Sequence, residues 1–222
     1  ESGNMLNCVG DLVDLIGQLG ESAAVVIGHD LGAWVAYAAA QLRPDLFRAL
    51  VILNTPVTPR EPRRPSDLWK ILESKTGKRF YQAHFASGDA TAEMDADIRK
   101  TLRSSYYSLS GDSTGNERWR LFLGKDESFI DTVFDPAQFP TWLNNTAIDY
   151  YASEYARKSF AAPLSHYAAR DRNWELSAFA QGLKVQQPSL FIGGAADPAA
   201  ELFMANYDKL ESHLPNLRHK IL

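Results

Sequence analysis

Apolar and polar positions along the chain change regime three times. From Asn4 to Gly20, "NMLNCVGDLVDLIGQLG", the apolar residues Met5, Val9, Leu12, Leu15, Ile16 and Leu19 recur at helical spacing, which predicts an amphipathic helix. "SAAVVIG", Ser22 to Gly28, is instead a short continuous apolar run, the pattern of a strand buried on both faces. Helix-forming "LGAWVAYAAAQL" follows, with Pro44 marking its end, and "RALVILN", Arg48 to Asn54, reads as a second buried strand. Strand, helix and strand with short joints make a right-handed parallel unit. A Pro/Arg-rich connection, Pro56 to Pro65, then opens a stretch that is aromatic and mainly helical by pattern, with few strand signals. "SLFIGG", Ser189 to Gly194, restores a buried strand, "AAELFMANYDKLESHL" a helix, and "LRHKIL" a last strand. The fold class expected is α/β, a mostly parallel sheet contributed by residues 1–59 and 184–222, with a helical insertion at 60–183. An insertion of about 120 residues far exceeds ordinary connections. Neither end has the turn-rich composition of a domain boundary, so the chain reads as the interior of a longer fold, with an N-terminus lying upstream.

Composition excludes several classes. Of 222 residues, 45% are hydrophobic and 23% charged, and the formal net charge is −4. That balance leaves no basic footprint for nucleic acid. No apolar run reaches the roughly 18 residues of a membrane span. A single cysteine, Cys8, excludes an internal disulfide and fits a reducing compartment, so a cytoplasmic location is expected. There is no metal-ligand cluster and no phosphate-cradling loop with its lysine, and "GGAAD" is too short for a dinucleotide fingerprint, so neither metal nor cofactor is expected.

The specific signal is "VVIGHDLGAWVA", in which Gly28, His29, Asp30, Leu31 and Gly32 spell Gly-x-Asp-x-Gly between a buried strand and a helix. This is the nucleophile-elbow pattern with aspartate in the place of serine. Glycines let such a turn tighten without Cβ clashes, and the apex residue then faces the free N–H groups and positive dipole end of the helix, which favour an anion. An aspartate side chain, with an intrinsic pKa of about 3.9, ionises without a base beside it. The bland alternative is an Asp serving only as helix N-cap.

Several segments in the same order resemble an α/β-hydrolase, and within that fold the epoxide hydrolases: "GHDLGAW", "LNTP" at Leu53 to Pro56, "FYQAHF" at Phe80 to Phe85, "PLSHYAARDRNWE" at Pro163 to Glu175, and "LFIGGAADPA" at Leu190 to Ala199. The resemblance spans nearly the whole chain. It implies that the insertion is a helical cap and that Asp30 opens an epoxide through a covalent ester, later hydrolysed to a vicinal diol. Chemistry supports aspartate as that nucleophile, since attack by serine at a saturated carbon would leave an ether, whereas a carboxylate leaves an ester that water can cleave. By position, the resemblance makes Tyr81 and Tyr167 the hydrogen-bond and proton donors to the epoxide oxygen. Tyr106, Tyr107, Tyr150 and Tyr151 are the alternatives among nine tyrosines. It gives Asp197 the role of orienting a histidine base and the backbone N–H of Leu31 that of an oxyanion donor. Phe85 and Trp142 are candidates to line the substrate pocket, with core packing the default for each. His29, His84, His166, His213 and His219 do not stand where the family carries its base, which is therefore expected outside this chain, as is the loop bearing the second oxyanion donor. Leucine at position 31 offers neither an indole N–H nor a guanidinium, which counts against haloalkane and fluoroacetate dehalogenases. The rival readings are a haloalkane dehalogenase-like hydrolase with the same nucleophile and a catalytically incomplete segment that only binds. The partners implied are a small-molecule epoxide and water; the resemblance also admits a homodimer.

Overall fold

In the computed structural model the described residues are 3–58, 60–200, 207 and 209–221, with the backbone alone described at 219–221. The chain divides into two compact units. The first comprises residues 1–64, 170–195 and 199–222, the second 65–169 and 196–198.

The first unit is a parallel sheet with helices. Its elements in order are α1 (Met5–Gln18), β1 (Ala24–His29), α2 (Leu31–Leu42), β2 (Phe47–Leu53), α9 (Arg170–Leu176), β5 (Ser189–Gly193), α10 (Leu210–His213) and β6 (Leu217–Ile221). Asn4 caps α1, its side chain accepting from the Asn7 N–H. The sheet order is β1-β2-β5-β6, all pairs parallel. Register places Gly28 beside Ile52, and Ile52 beside Phe191. Ala33, Ala36, Ala39 and Ala40 are fully buried on α2, and their small size lets the helix sit close to Val26, Leu50, Ile52 and Phe191 of the sheet. The helix drawn from residues 199–214 falls partly on 201–206 and 208, outside the described residues.

One expectation fails here. β1 is not buried on both faces: Val26 and Gly28 are buried, but Val25 is 47% and Ile27 62% exposed. β1 is an outermost strand of the sheet among the described residues, α2 joins the face that bears Val26, and alternate residues point the other way. Leu15 and Leu19, placed on the apolar stripe of α1, are likewise exposed, while Val9 and Ile16 enter the core.

The second unit contains α3 (Pro65–Thr76), β3 (Arg79–Phe80), α4 (Tyr81–Ser87), α5 (Asp89–Ala96), α6 (Ile98–Leu109), β4 (Phe122–Leu123), α7 (Asn145–Lys158) and α8 (Ala161–Ala168). Its only sheet among the described residues is the two-residue antiparallel pair of β3 and β4. Asp97 and Asn144 cap α6 and α7 by accepting from the N–H groups of Lys100 and Ala147. Between α7 and α8, Ser159 takes a positive φ of 63°, and the Asp95 carboxylate secures the corner by accepting from the Ser159 hydroxyl and, at 2.9 Å, from the Phe160 N–H. That corner fixes the start of α8 and therefore Tyr167.

The joints between units lie at 64/65 and 169/170, whereas the composition shifts at about 60 and 183. Side-chain contacts account for the difference. Arg60 Nε donates to the Trp174 carbonyl at 2.8 Å, its guanidinium lies 3.7 Å from the centroid of the Trp174 ring, and Trp174 Nε1 donates to the Glu61 carbonyl at 2.7 Å. The Asn173 side chain accepts from the Met5 N–H at 2.8 Å. The Arg-Asn-Trp stretch thus fastens α9 to the Pro/Arg-rich connection and to α1.

Candidate active site

β1 ends at His29 and α2 begins at Leu31, so one residue makes the whole turn. Asp30 has φ 52° and ψ −121°, a conformation that costs an L-residue about 1–3 kcal/mol. The turn persists because its surroundings over-determine it. The Asp30 N–H donates to the Leu53 carbonyl at 3.4 Å, and its carbonyl accepts from the Ala33 N–H at 3.0 Å. A Cβ on Gly28 would stand 2.2 Å from the Gly32 carbonyl oxygen, so only glycine lets strand and helix approach this closely. Gly32 differs: a Cβ there would meet nothing within 4 Å. The two glycines of the motif therefore do unlike things, and only Gly28 is needed for the close approach.

Asp30 precedes α2 without acting as its side-chain cap. Its side chain makes no capping hydrogen bond to α2. Its Oδ1 instead accepts from the Thr55 hydroxyl at 3.3 Å, and the residue is exposed at the C-terminal edge of the sheet. Leu31, as the first residue of α2, brings an N–H that has no helical carbonyl behind it.

Thr55 and Asn54 are polar residues at the same sheet edge, given no role in the sequence beyond their place in "LNTP". They follow β2, which lies between β1 and β5. Asn54 has φ 67°; its N–H donates to the Ile192 carbonyl at 2.7 Å, and its Oδ1 accepts from the Gly194 N–H at 3.1 Å. The end of β2 thereby touches both neighbours, Thr55 reaching the apex after β1 and Asn54 the end of β5. Their signal was present in "LNTP", polar residues just past a buried strand where α/β sheets gather their chemistry. Asp197 lies half-buried in the turn after β5, four residues beyond Gly193.

In the second unit, the structure brings Tyr81, Tyr167 and Phe85 together. Tyr81 begins α4, Phe85 lies one turn on, and both are buried. The centroid of the Tyr167 ring lies 6.2 Å from that of Tyr81 and 5.1 Å from that of Phe85, both edge to face. Trp119 and Phe129 close the cluster. No ring contact brings Trp142 into it: that side chain is half exposed, and its Nε1 donates to Asp112 at 2.7 Å. Of the alternative tyrosines, Tyr106, Tyr150 and Tyr151 form a separate exposed group on α6 and α7. The Tyr107 hydroxyl donates to Glu117 at 2.7 Å, and this carboxylate raises its pKa. The buried His84 pairs through Nε2 with Glu93 at 2.9 Å, and the buried His213 ring shares a hydrogen with the Ser212 hydroxyl through Nδ1 at 2.7 Å. Desolvation is the main cause that holds His213 below its usual pKa. The His219 side chain lies outside the described residues. Among the described residues no cluster of three metal-ligating side chains occurs, and no helix is long and apolar enough to cross a membrane.

A parallel sheet that places an aspartate of positive φ on a one-residue turn into a helix is the arrangement of the α/β-hydrolase fold. Residues 4–222 match the family described as alpha/beta hydrolase fold. Epoxide hydrolase A of Mycobacterium tuberculosis is 35% identical over 190 residues, 85% of this chain and 58% of that protein. An epoxide hydrolase of Caballeronia sordidicola is 32% identical over 212 residues, 96% of this chain and 63% of the relative. Among solved structures, epoxide hydrolase A from Mycobacterium thermoresistibile superposes with a TM-score of 0.91 at 32% identity, over 100% of this chain and 69% of the other. The chain belongs to the α/β-hydrolase fold family and, within it, to the epoxide hydrolases. It spans about three fifths of the length of these two curated relatives.

Proposed function

We propose that this chain carries the nucleophile and the oxygen-binding tyrosines of an enzyme that adds water to a small-molecule epoxide. The observation that carries the reading is Asp30 itself, held at the elbow apex with its carboxylate turned away from capping and towards Thr55. One carboxylate oxygen attacks a ring carbon. The carbon–oxygen bond of the epoxide breaks, its electron pair stays on oxygen, and the alkoxide takes a proton from Tyr81 or Tyr167. The product of this half is an ester on Asp30. Water then adds to the acyl carbon while a histidine base oriented by Asp197 accepts a water proton. The Leu31 N–H donates to the tetrahedral oxyanion, which collapses by breaking the bond between the acyl carbon and the alkyl oxygen; that oxygen leaves with the proton of the carboxylic acid so formed, which releases the diol and restores the Asp30 carboxylate, while the proton held by the histidine returns to the tyrosinate. The paired tyrosines favour an epoxide over a halide-bearing substrate, because they are donors for an alkoxide. The names of the relatives point the same way. The cytoplasm, where Cys8 would stay reduced, and a homodimer belong to the same proposal.

Intact-protein mass spectrometry after incubation with a simple aryl epoxide tests the first half. A gain of one substrate mass, or diol release, that is lost in Asp30→Asn is expected. Equal labelling or turnover in the Asp30→Asn variant would overturn the assignment.

A further inference from the structure

A buried polar chain lies behind Tyr81 and has no part in the chemistry above. Trp69 of α3 donates its indole N–H to Gln82 Oε1 at 3.2 Å, and Gln82 Nε2 donates to the Tyr81 hydroxyl oxygen at 2.8 Å. All three side chains are buried. The direction of these bonds follows from the donor inventory. An indole nitrogen can only donate, so the amide must turn its carbonyl to Trp69 and its NH2 to Tyr81. With the opposite orientation the Gln82 carbonyl would accept the Tyr81 proton, and the indole N–H would face an NH2 group, two donors opposed in a buried site.

The geometry points to Gln82 as a positioning residue that acts through Tyr81, its amide set by Trp69 so that it donates to the phenol oxygen and commits the phenol proton to an acceptor other than Gln82. Resting on the reading above, that acceptor is the oxygen of the opening epoxide. The amide also supports negative charge on the phenol oxygen as the proton leaves, because a hydrogen bond donated to the charged form favours it. Proximity alone would make Gln82 a neighbour of Tyr81; the indole makes it a donor to it. Sequence supplies both parts, "FYQ" placing the amide beside the phenol and Trp69 arriving from the preceding helix.

The test is the titration of ring 81. A fluorinated tyrosine introduced at position 81 lowers the intrinsic midpoint into the range where the protein stays folded, and isolates this ring from the other eight in a fluorine NMR spectrum. Its packed ring neighbours are Phe80, Phe85, Trp119 and Tyr167, of which Tyr167 is titratable, and His84, three residues further along α4, pairs with Glu93 of α5. Gln82→Met keeps the length and removes the donor, and should raise the midpoint by about one pH unit, as loss of one ordinary hydrogen bond implies. Trp69→Phe keeps a ring in place but leaves Gln82 free to turn, and should raise it as well. Once Gln82→Met is present, Trp69→Phe should add nothing, since its influence passes through the amide. A Trp69 with only a packing role would lower thermal stability without moving the midpoint. An unchanged midpoint in a folded Gln82→Met or Trp69→Phe protein overturns the inference, as does a full Trp69→Phe shift on the Gln82→Met background. No substrate is involved: a shifted midpoint without alkylation of Asp30 would leave this inference standing and fell the functional reading, and the reverse result would fell this inference alone.

Discussion

The sharpest consequence of the elbow is that its two glycines, alike in the motif, respond oppositely to the same substitution. In Gly28→Ala the new Cβ lies 2.2 Å from the Gly32 carbonyl oxygen, 2.6 Å from its carbonyl carbon and 2.8 Å from Ala33 Cα. The first distance is about 1 Å short of even a close carbon–oxygen contact of roughly 3.3 Å. Every atom in the way is backbone, and on the other side Gly28 is registered against Ile52 in the sheet, so relief means moving α2 off β1. Overfilling a packed core costs about 1–3 kcal/mol; with no flexible side chain to yield, about 3 kcal/mol is expected, a large share of the roughly 5–15 kcal/mol that holds a domain folded. Gly32→Ala has open space around its Cβ, no positive φ, and a place in the first turn of α2. It should leave stability unchanged or raise it by a few tenths to about 1 kcal/mol, through helix propensity and a less flexible unfolded chain. Urea midpoints followed by far-UV circular dichroism, with epoxide labelling of Asp30 read by mass, measure both. A Gly28→Ala protein with parental midpoint and labelling would refute the close-approach argument, and a Gly32→Ala loss as large as that of Gly28→Ala would refute the distinction.

Thr55→Val removes the hydroxyl that holds Asp30 Oδ1 and keeps the shape; labelling of Asp30 should slow by about three- to tenfold, the worth of one hydrogen bond, with little change in stability, and an unaltered rate would deny Thr55 its orienting role. Trp174→Ala should cost about 2 kcal/mol and Trp174→Phe about 1 kcal/mol in a urea titration, because phenylalanine keeps a ring face for Arg60 but not the N–H that satisfies Glu61; equal losses in both would mean that the ring stack contributes nothing. Burial favours the neutral form of His213, so the unfolded chain binds its proton more readily and stability should fall as pH drops below the usual histidine value of about 6.5. Lys184 and Lys209 push the same way. His213→Leu should flatten that fall in thermal melts between pH 7 and 5, and an unchanged slope would place the proton uptake elsewhere.

Strand and helix types were legible because each needs only its own residues. The continuous apolar runs became β1, β2 and β5, and the alanine-rich segment became the close-packed α2. What a strand faces was not legible. Val25 and Ile27 have the composition of a fully buried strand, but exposure depends on what covers the sheet, and the apolar run says nothing of that. The joints between units escaped for a related reason. Composition changes at the prolines and arginines near residue 60, but Arg60 and Glu61 are claimed by Trp174, more than a hundred residues later, and no local signal carries such a pairing.

The site divides along the same line. An aspartate at an elbow declares itself by neighbours one and two residues away, so Gly-x-Asp-x-Gly was sufficient to place Asp30 at the turn. The backbone adds to what the motif left open, because a φ of 52° and an absent cap bond set Asp30 apart from an ordinary N-cap. The partners of Asp30 and Gln82 reach them through single hydrogen bonds across the fold. Thr55 reaches Asp30 over 25 positions, and Trp69 reaches Gln82 from another helix. In neither pair does residue type alone reveal the partner: threonine is common after strands, and a tryptophan in an aromatic helical region is by default packing. Direction adds a further step, since a glutamine beside a tyrosine can either support the phenol oxygen or take its proton. Only the donor-only indole on the far side decides between the two, so the direction of the hydrogen bond at the Tyr81 hydroxyl is written partly in Trp69, through the amide between them.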